Sequence, residues 1–276
     1  LDVRVNINKA KRATVHKHLQ TAGITTTETP YSPWGLRFKE RTKVSKLPDF
    51  DQGVLEVQDE GSQLIALLTE AKRNETVVDF CAGGGGKTLA MGAMMRNTGR
   101  LYAYDTSAQR LAGLQPRLQK SGLHHVVPMV IANESDPRLA LMHRKADRVL
   151  VDAPCSGTGT LRRSPALKWR LTPERIAQLV VLQHTILNAA AQLVAPGGRL
   201  VYATCSLLQA ENEAIAEHFS RTAHDFVALP VLDILQRQKI DQAAQVCSQN
   251  PMGLYLRLWP HQVACDGFFA AVWQRK

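Results

Sequence analysis

Short apolar runs alternate with longer segments of helical periodicity through most of the chain. Five runs have the length and composition of buried strands, and apolar residues recur every three or four positions between them. Strands that alternate with helices in this way indicate an α/β fold, with a mainly parallel sheet and helices on both faces. The predicted strands are residues 76–80, 100–104, 126–131, 147–152 and 199–203.

Helices are predicted between these strands and after the last of them. The longest begins with Thr172-Pro-Glu174, a good signal for a helix N-terminus. Residues 221–250 show no clear pattern and receive no assignment, whereas 254–259 and 268–273 are typical of a terminal pair of strands. The predicted helices are 62–72, 87–97, 107–121, 137–144, 173–194 and 210–220.

The first part of the chain is predicted to form a smaller α+β unit. Residues 2–7 alternate as a strand does, 11–23 have helical spacing, and 25–34 form extended chain and a turn. A basic run follows, and both an RNA-binding face and an ordinary solvated face are open for it. Its members are Arg37, Lys39, Arg41, Lys43 and Lys46. We place this subdomain at residues 1–53 and the main domain at 54–276.

Charge and composition narrow the class of protein. A formal net charge of +10 and a pI near 9.6 suit a polyanionic partner such as nucleic acid, although a basic protein without one remains an alternative. No apolar run approaches the roughly 20 residues of a membrane span, and the charged N-terminus lacks the apolar segment of a secretory signal. We therefore expect a cytoplasmic monomer with no membrane partner.

Two of the five cysteines occupy matched positions. Cys155 and Cys205 each follow a predicted buried strand, at the point where the strand opens into a loop. Ligands bind at that carboxyl edge of an open α/β sheet, so two nucleophiles there predict covalent chemistry beside a cofactor. The odd number of cysteines and the lack of a Cys-x-x-Cys motif argue against a disulfide scaffold and against a common zinc site, so no metal is predicted.

A glycine-rich loop, Asp79-Phe-Cys-Ala-Gly-Gly-Gly-Gly-Lys-Thr88, follows one predicted strand and opens a helix. Its glycines allow the backbone to approach a ligand and expose amide groups at the helix N-terminus. Asp105 ends the next strand, where a carboxylate commonly accepts hydrogen bonds from ribose hydroxyls. The loop and Asp105 together predict a nucleoside-containing cofactor.

Several ligands compete for this loop. A Walker A motif needs glycine at position 81, which is Cys81, so an NTPase is disfavoured. The glycines match a dinucleotide motif only loosely. S-adenosylmethionine suits the loop, because its amino-acid end can meet backbone amides while Asp105 holds its ribose. A tight turn without a ligand stays open.

Three motifs in order resemble the Fmu/Sun family of RNA 5-methylcytosine methyltransferases, which includes bacterial ribosomal RNA enzymes and the NSUN proteins. The motifs are Asp79-x-Cys-Ala-x-x-Gly-Gly-Lys-Thr88, Asp152-Ala-Pro-Cys-Ser-Gly-Thr-Gly159 and Ala203-Thr-Cys-Ser206. Weaker matches, such as Asp266-Gly-Phe-Phe269, extend the resemblance over nearly the whole chain. The two cysteine motifs together carry its specificity.

The resemblance implies a class I, Rossmann-like methyltransferase fold with a small RNA-recognition-like subdomain and S-adenosylmethionine as methyl donor. It also implies that Cys205 is the nucleophile, that Cys155 assists release, and that Asp152 contacts the base. The cofactor residues it implies are Cys81, Ala82, Gly83, Gly84, Gly85, Gly86, Lys87, Asp105, Arg110, Asn133 and Asp152.

The sequence departs from the family pattern at two places. Gly83-Gly84 replace Ala-Pro in the loop, which makes the loop more flexible. Asn133 stands where the family has an aspartate near the adenine, and Asp136 is a second candidate for that contact.

The chain after Cys155 is predicted to bind RNA. Its basic side chains are placed to hold phosphates. Trp169 either stacks on a base or packs under the loop, and His261 is assigned a structural role. The predicted RNA-binding residues are Arg162, Arg163, Lys168 and Arg170.

Two alternatives remain beside an enzyme that methylates RNA, most simply ribosomal RNA. In a DNA 5-methylcytosine methyltransferase Cys155 would be the nucleophile, but such enzymes lack a second Thr-Cys motif, so Cys205 argues against this class. A catalytically silent RNA-binding or ribosome-assembly factor would keep the fold, and the altered loop and Asn133 motivate that reading.

Overall fold

A computed structural model describes residues 1–40, 42–249 and 252–276. Arg41 of the predicted basic run and Asn250 of the unassigned segment lie outside these ranges. No helix within the described ranges has both the length and the apolar character needed to cross a membrane.

The N-terminal segment forms a small antiparallel sheet of four strands in the order β2-β3-β1-β4. Its fourth strand takes in residues 55–57, so the sheet extends past the predicted boundary at residue 53, because Leu55 is buried in the subdomain core. The elements are β1 Asp2–Val5, α1 Arg12–Thr21, β2 Thr26–Glu28, β3 Gly35–Phe38, α2 Pro48–Asp51 and β4 Leu55–Val57.

The large sheet has eight strands, and its five-strand parallel part has the order β7-β6-β5-β8-β9. On the far side of β9, β12 runs antiparallel and pairs with both β10 and β11. This arrangement confirms the predicted α/β fold with a mainly parallel sheet. The strands are β5 Thr76–Asp79, β6 Arg100–Asp105, β7 Val126–Val130, β8 Ala146–Asp152, β9 Val194–Thr204, β10 Phe226–Ala228, β11 Leu256–Leu258 and β12 Phe268–Arg275.

Helices cover both faces of the large sheet and bury two apolar clusters against it. The predicted helix 137–144 is a 3-10 helix over Pro137–Met142, and it ends at His143, whose backbone (φ −53°, ψ 121°) is no longer helical. The unassigned segment 221–250 contains β10 and α8. The helices are α3 Glu60–Leu68, α4 Gly86–Met94, α5 Ala108–Ser121, α6 Pro173–Ala191, α7 Glu213–Thr222 and α8 Val231–Arg237.

The register of the parallel strands brings several acidic and nucleophilic residues to one edge. Asp79 pairs with Leu150 of β8, and Asp152 pairs with Ala203 of β9. The carboxyl ends of β5, β6, β8 and β9 therefore meet, and the glycine-rich loop and both cysteine loops begin there.

The apolar cluster around Trp273 gives a test of this packing. Trp273 is 1% exposed and its indole N–H donates to Ser220 Oγ at 2.9 Å. Trp273→Ala should lower the free energy of unfolding by about 3–5 kcal/mol, because it opens a cavity in the buried cluster and removes the hydrogen bond to Ser220. Trp169, 81% exposed, is the matched control, and Trp169→Ala should stay within about 0.5 kcal/mol of the parent in urea denaturation. Equal effects of the two substitutions would contradict this packing.

Candidate active site

A cavity of about 600 Å³ opens at the carboxyl edge of the parallel strands. This volume lies within the range of small-molecule sites. The glycine loop and the two cysteine loops line it, and residues 57–59 close it from the end of the N-terminal sheet. Its polar and reactive lining residues include Asp79, Cys81, Lys87, Asp105, Arg110, Glu134, Asp152, Cys155 and Cys205.

Two glycines of the glycine-rich loop have a left-handed backbone conformation. Gly83 and Gly85 have φ of 55° and 81°, in the left-handed region that favours glycine. A Cβ on Gly85 would lie 2.2 Å from Leu114 Cδ1, so this glycine is required for close packing on α5. Gly83, Gly84 and Gly86 line the cavity, as do Cys81 and Ala82, whereas Gly85 packs beneath the loop. Gly83 and Gly84, which stand where the family has Ala-Pro, therefore lie on the cavity side of the loop.

Asp105 holds the loop from the end of β6. Its Oδ2 accepts a hydrogen bond from the Gly83 N–H at 2.7 Å, and its Oδ1 accepts one from the Ser107 N–H at 2.8 Å. Each carboxylate oxygen can accept a second bond, so the group retains capacity for a ligand. Arg110, on the first turn of α5, is exposed and also lines the cavity.

Asn133 is not among the residues that line the cavity, so its contact with the adenine stays a prediction. Its side chain is exposed, and its Oδ1 accepts a hydrogen bond from the Ser135 N–H at 2.8 Å. The carboxylate of Asp136, the second candidate, instead accepts hydrogen bonds from Ala132 and Arg138 in its own loop. Ile131 and Glu134 face the cavity after β7.

Asp79 is a site residue that sequence reasoning did not single out. It lies at the end of β5, is 1% exposed, and its Oδ2 accepts a hydrogen bond from the Thr88 hydroxyl at 2.6 Å. Its Oδ1 has no hydrogen-bond partner in the described part of the chain. Burial raises the pKa of Asp79 to about 7, against the opposing effect of the Thr88 hydroxyl. The available signal was an acidic residue directly before the glycine loop.

The two predicted catalytic cysteines are brought together. All five cysteines are free thiols, and Cys155 Sγ lies 3.4 Å from Cys205 Sγ. The hydrogen bond between the sulfurs lowers the pKa of Cys205 and, together with burial, raises that of Cys155 well above its ordinary value. These opposite pKa shifts favour Cys155 as the donor and Cys205 as the acceptor, so Cys205 ionises more readily and is the better candidate nucleophile.

Lys87 and Asp152 form an ion pair beside the thiols. Lys87 Nζ donates to Asp152 Oδ2 at 2.6 Å and lies 5.6 Å from the centroid of the Phe268 ring. Burial disfavours the charged form of Lys87, but Asp152 outweighs it and the pKa of Lys87 is raised. The positive charge of Lys87 also helps to lower the pKa of Cys205.

Close backbone contacts fix the two cysteine loops to each other. The Gly159 N–H donates to the Cys205 carbonyl and the Gly267 N–H donates to the Gly159 carbonyl, both at 2.9 Å. A Cβ on Gly159 would lie 2.1 Å from the Gly267 carbonyl oxygen. Only glycine fits there, so the last part of the Asp152–Gly159 motif is explained by packing.

The predicted RNA-binding residues fall into two groups. Arg162 and Arg163 both pair with Asp59 and Asp266, with Arg163 contacts of 2.8 and 2.7 Å. Their guanidinium groups are already paired with these carboxylates, and their role as phosphate ligands stays a prediction. Lys168 and Arg170 are exposed. The exposure of Trp169, with Lys168 Nζ 4.8 Å from its ring centroid, excludes packing under the loop.

The sulfur–sulfur hydrogen bond gives a testable pH dependence. Cys155→Ala removes the donor that stabilises the Cys205 thiolate, so the pKa of Cys205 should rise. The midpoint of its iodoacetamide alkylation rate against pH, followed by mass spectrometry, should shift upward. Cys247→Ala is the control, since burial alone raises the pKa of Cys247 to about 12. An unchanged or lower midpoint in Cys155→Ala would refute the assignment of donor and acceptor.

Comparison with known proteins identifies a family to which most of the chain is similar. Residues 66–274 match the model of a family described as 16S rRNA methyltransferase RsmB/F. A probable ribosomal RNA small subunit methyltransferase B from Synechocystis sp. is 38% identical over 98% of this chain and 59% of its own length. The chain thus spans about three-fifths of this relative.

Two solved structures share the fold. The crystal structure of PH0851 has a TM-score of 0.89 and 32% identity over 100% of this chain and 59% of that one. NSun6 from Pyrococcus horikoshii with SFG has a TM-score of 0.83 and 21% identity over 99% of this chain and 90% of that one, which supports the fold alone. The family match covers most of the chain and confirms the resemblance seen in the motifs. The chain belongs to the RsmB/F family of 16S ribosomal RNA methyltransferases.

Proposed function

We propose that this chain is the catalytic part of an enzyme that methylates carbon 5 of cytosine in ribosomal RNA, with S-adenosylmethionine as methyl donor. The observation that carries the proposal is the pair of thiols 3.4 Å apart beside the cavity, of which Cys205 has the lowered pKa. Membership of a family of 16S ribosomal RNA methyltransferases supports the substrate class.

The cavity residues fit S-adenosylmethionine in their chemistry. Asp79 is a buried carboxylate with an unpartnered oxygen, which suits an ammonium group. Asp105 retains acceptor capacity for ribose hydroxyls, and the loop around Gly84 lies at a helix N-terminus that suits a carboxylate. When bound, S-adenosylmethionine supplies an electrophilic methyl group.

Cys205 supplies the activation that cytosine needs. Carbon 5 of cytosine is a poor nucleophile. Addition of the Cys205 thiolate to carbon 6 forms a carbon–sulfur bond and moves an electron pair onto the ring, so that carbon 5 can attack the methyl group. Asp152 faces the cavity between Lys87 and the thiols, where it can accept a hydrogen bond from the base. The base must leave its stack to enter.

Cys155 is suited to the release step. The largest cause of its raised pKa is the hydrogen bond to the Cys205 sulfur. Once Cys205 is bonded to carbon 6 its negative charge is gone, so Cys155 can lose its proton to solvent and act as a base. Cys155 then takes the proton from carbon 5, and the electron pair expels the Cys205 thiolate.

The exposed end of the loop after Cys155 is the part of that loop that contacts RNA in this proposal. Lys168 and Arg170 can bind phosphates, and the exposed ring of Trp169 can stack on a base. Arg162 and Arg163 position this loop through Asp59 and Asp266.

Trapping the covalent complex tests the proposal. RNA transcripts of 16S ribosomal RNA that contain 5-fluorocytidine should form a stable adduct, since fluorine cannot leave as a proton does. Cys205→Ala should abolish the adduct, whereas Cys155→Ala should retain it and also accumulate an adduct with unmodified RNA. Denaturing gel electrophoresis measures the adduct with 5-fluorocytidine RNA and the adduct with unmodified RNA. Loss of the adduct in Cys155→Ala alone would reverse the roles and favour the chemistry of the DNA enzymes.

Calorimetric titration tests the cofactor residues. Asp105→Ala should weaken S-adenosylmethionine binding about 10- to 100-fold, because a hydrogen bond to a charged group contributes about 1.5–3 kcal/mol. Asn133→Ala should leave binding unchanged, since Asn133 lies outside the cavity lining. If the parent protein bound RNA but no S-adenosylmethionine, the silent RNA-binding factor would replace this proposal.

A further inference from the structure

Glu211 is a fully buried carboxylate that lies under both cysteine loops. It ends the short 3-10 helix Gln209–Glu211, after Cys205 and before α7, and is 0% exposed. The predicted helix 210–220 begins at Glu213 instead, because the chain turns Glu211 into the interior. Burying a carboxylate is costly unless hydrogen bonds compensate it.

On the Cys155 side, the partner of Glu211 is the residue directly after the cysteine. Oε1 accepts a hydrogen bond from the Ser156 N–H at 2.8 Å, and Oε2 accepts one from the Ser156 hydroxyl at 2.5 Å. Both bonds hold the chain one residue from the Cys155 thiol.

On the Cys205 side, the arrangement is repeated. The Ser206 hydroxyl, again one residue after a cysteine, donates to Glu211 Oε2. Gln183 of α6 adds a third support, since its side-chain amide donates to Glu211 Oε1 at 3.0 Å and to the Pro154 carbonyl at 2.9 Å. One carboxylate thus joins two loops and a helix.

We propose that Glu211 is a positioning residue that sets the distance and orientation of the Cys155 and Cys205 thiols through Ser156 and Ser206. This inference rests on the proposed function for its catalytic meaning. Both oxygens of Glu211 serve as acceptors, so an isosteric amide does not reproduce them. An NH2 group at Oε1 would face the Ser156 N–H and the Gln183 amide, donor against donor, and one at Oε2 would force the two serine hydroxyls to turn their hydrogens away. The negative charge of Glu211 also contributes, after the Cys205 hydrogen bond and burial, to the raised pKa of Cys155.

A purely structural role would change stability but not the relation between the thiols. The discriminating quantity is the ratio of alkylation rates of Cys205 and Cys155 by iodoacetamide in the folded protein, measured by mass spectrometry of the two peptides. This ratio needs neither RNA nor cofactor, so it is read out even if the proposed function fails.

Glu211→Gln is compared with Glu217→Gln, an exposed glutamate on α7. In Glu211→Gln the alkylation ratio should fall about tenfold, since loss of the alignment removes the preference for the Cys205 thiolate. With 16S ribosomal RNA transcripts, kcat should fall about 10- to 100-fold at nearly unchanged KM, as for other residues that orient a reacting group. Glu217→Gln should change neither the alkylation ratio nor kcat.

Two milder variants keep the proposal testable if Glu211→Gln fails to fold. Ser156→Ala and Ser206→Ala each remove one hydroxyl from the cluster and should each lower the alkylation ratio by a smaller factor. Folding is checked by circular dichroism and thermal denaturation. A folded Glu211→Gln, or the pair of serine variants, with an unchanged alkylation ratio would overturn the proposal. An altered ratio without any methylation would instead retain the positioning role and count against the proposed function.

Discussion

The parallel register of β5, β8 and β9 is the constraint on which the site depends. It sets Asp79 level with Leu150, and Asp152 level with Ala203, so the ends of three strands meet. The glycine loop, the Lys87–Asp152 ion pair and both thiols follow directly from those ends. A shift of one residue in any pairing would turn every following side chain to the opposite face of the sheet. The chemistry of the site is therefore a consequence of strand pairing.

Charge at this edge is balanced locally. Asp79, Asp105 and Asp152 converge on a cavity that Cys205 also lines, and Lys87 is the cation bonded to one of them. Burial raises the pKa of Asp79. A cationic ligand would relieve the repulsion among these groups, so the cavity favours positive charge although the whole chain has a net charge of +10. The cavity and the chain as a whole thus have opposite electrostatic character.

Local pattern was enough to predict the sheet, most helices and the two cysteine loops, because strand runs and glycine turns are encoded in adjacent residues. It could not show contacts between residues that are far apart in sequence. The ion pairs of Arg162 and Arg163 are an example, because their partners Asp59 and Asp266 lie about a hundred residues away. Asn133 matches a motif position, but its neighbour Glu134 is the residue that lines the cavity. The turn after β7 decides which of the two side chains faces the cavity. Glu211 gave no local signal because its partners come from three separate segments.

The loop after Cys155 is fixed at one end and free at the other. Arg162 and Arg163 anchor its start to Asp59 and Asp266, whereas Trp169 is 81% exposed near its end. Substitutions at the free end remove few packing contacts and cost little stability. The sequence of the free end can therefore change while the thiols and the cavity keep their geometry.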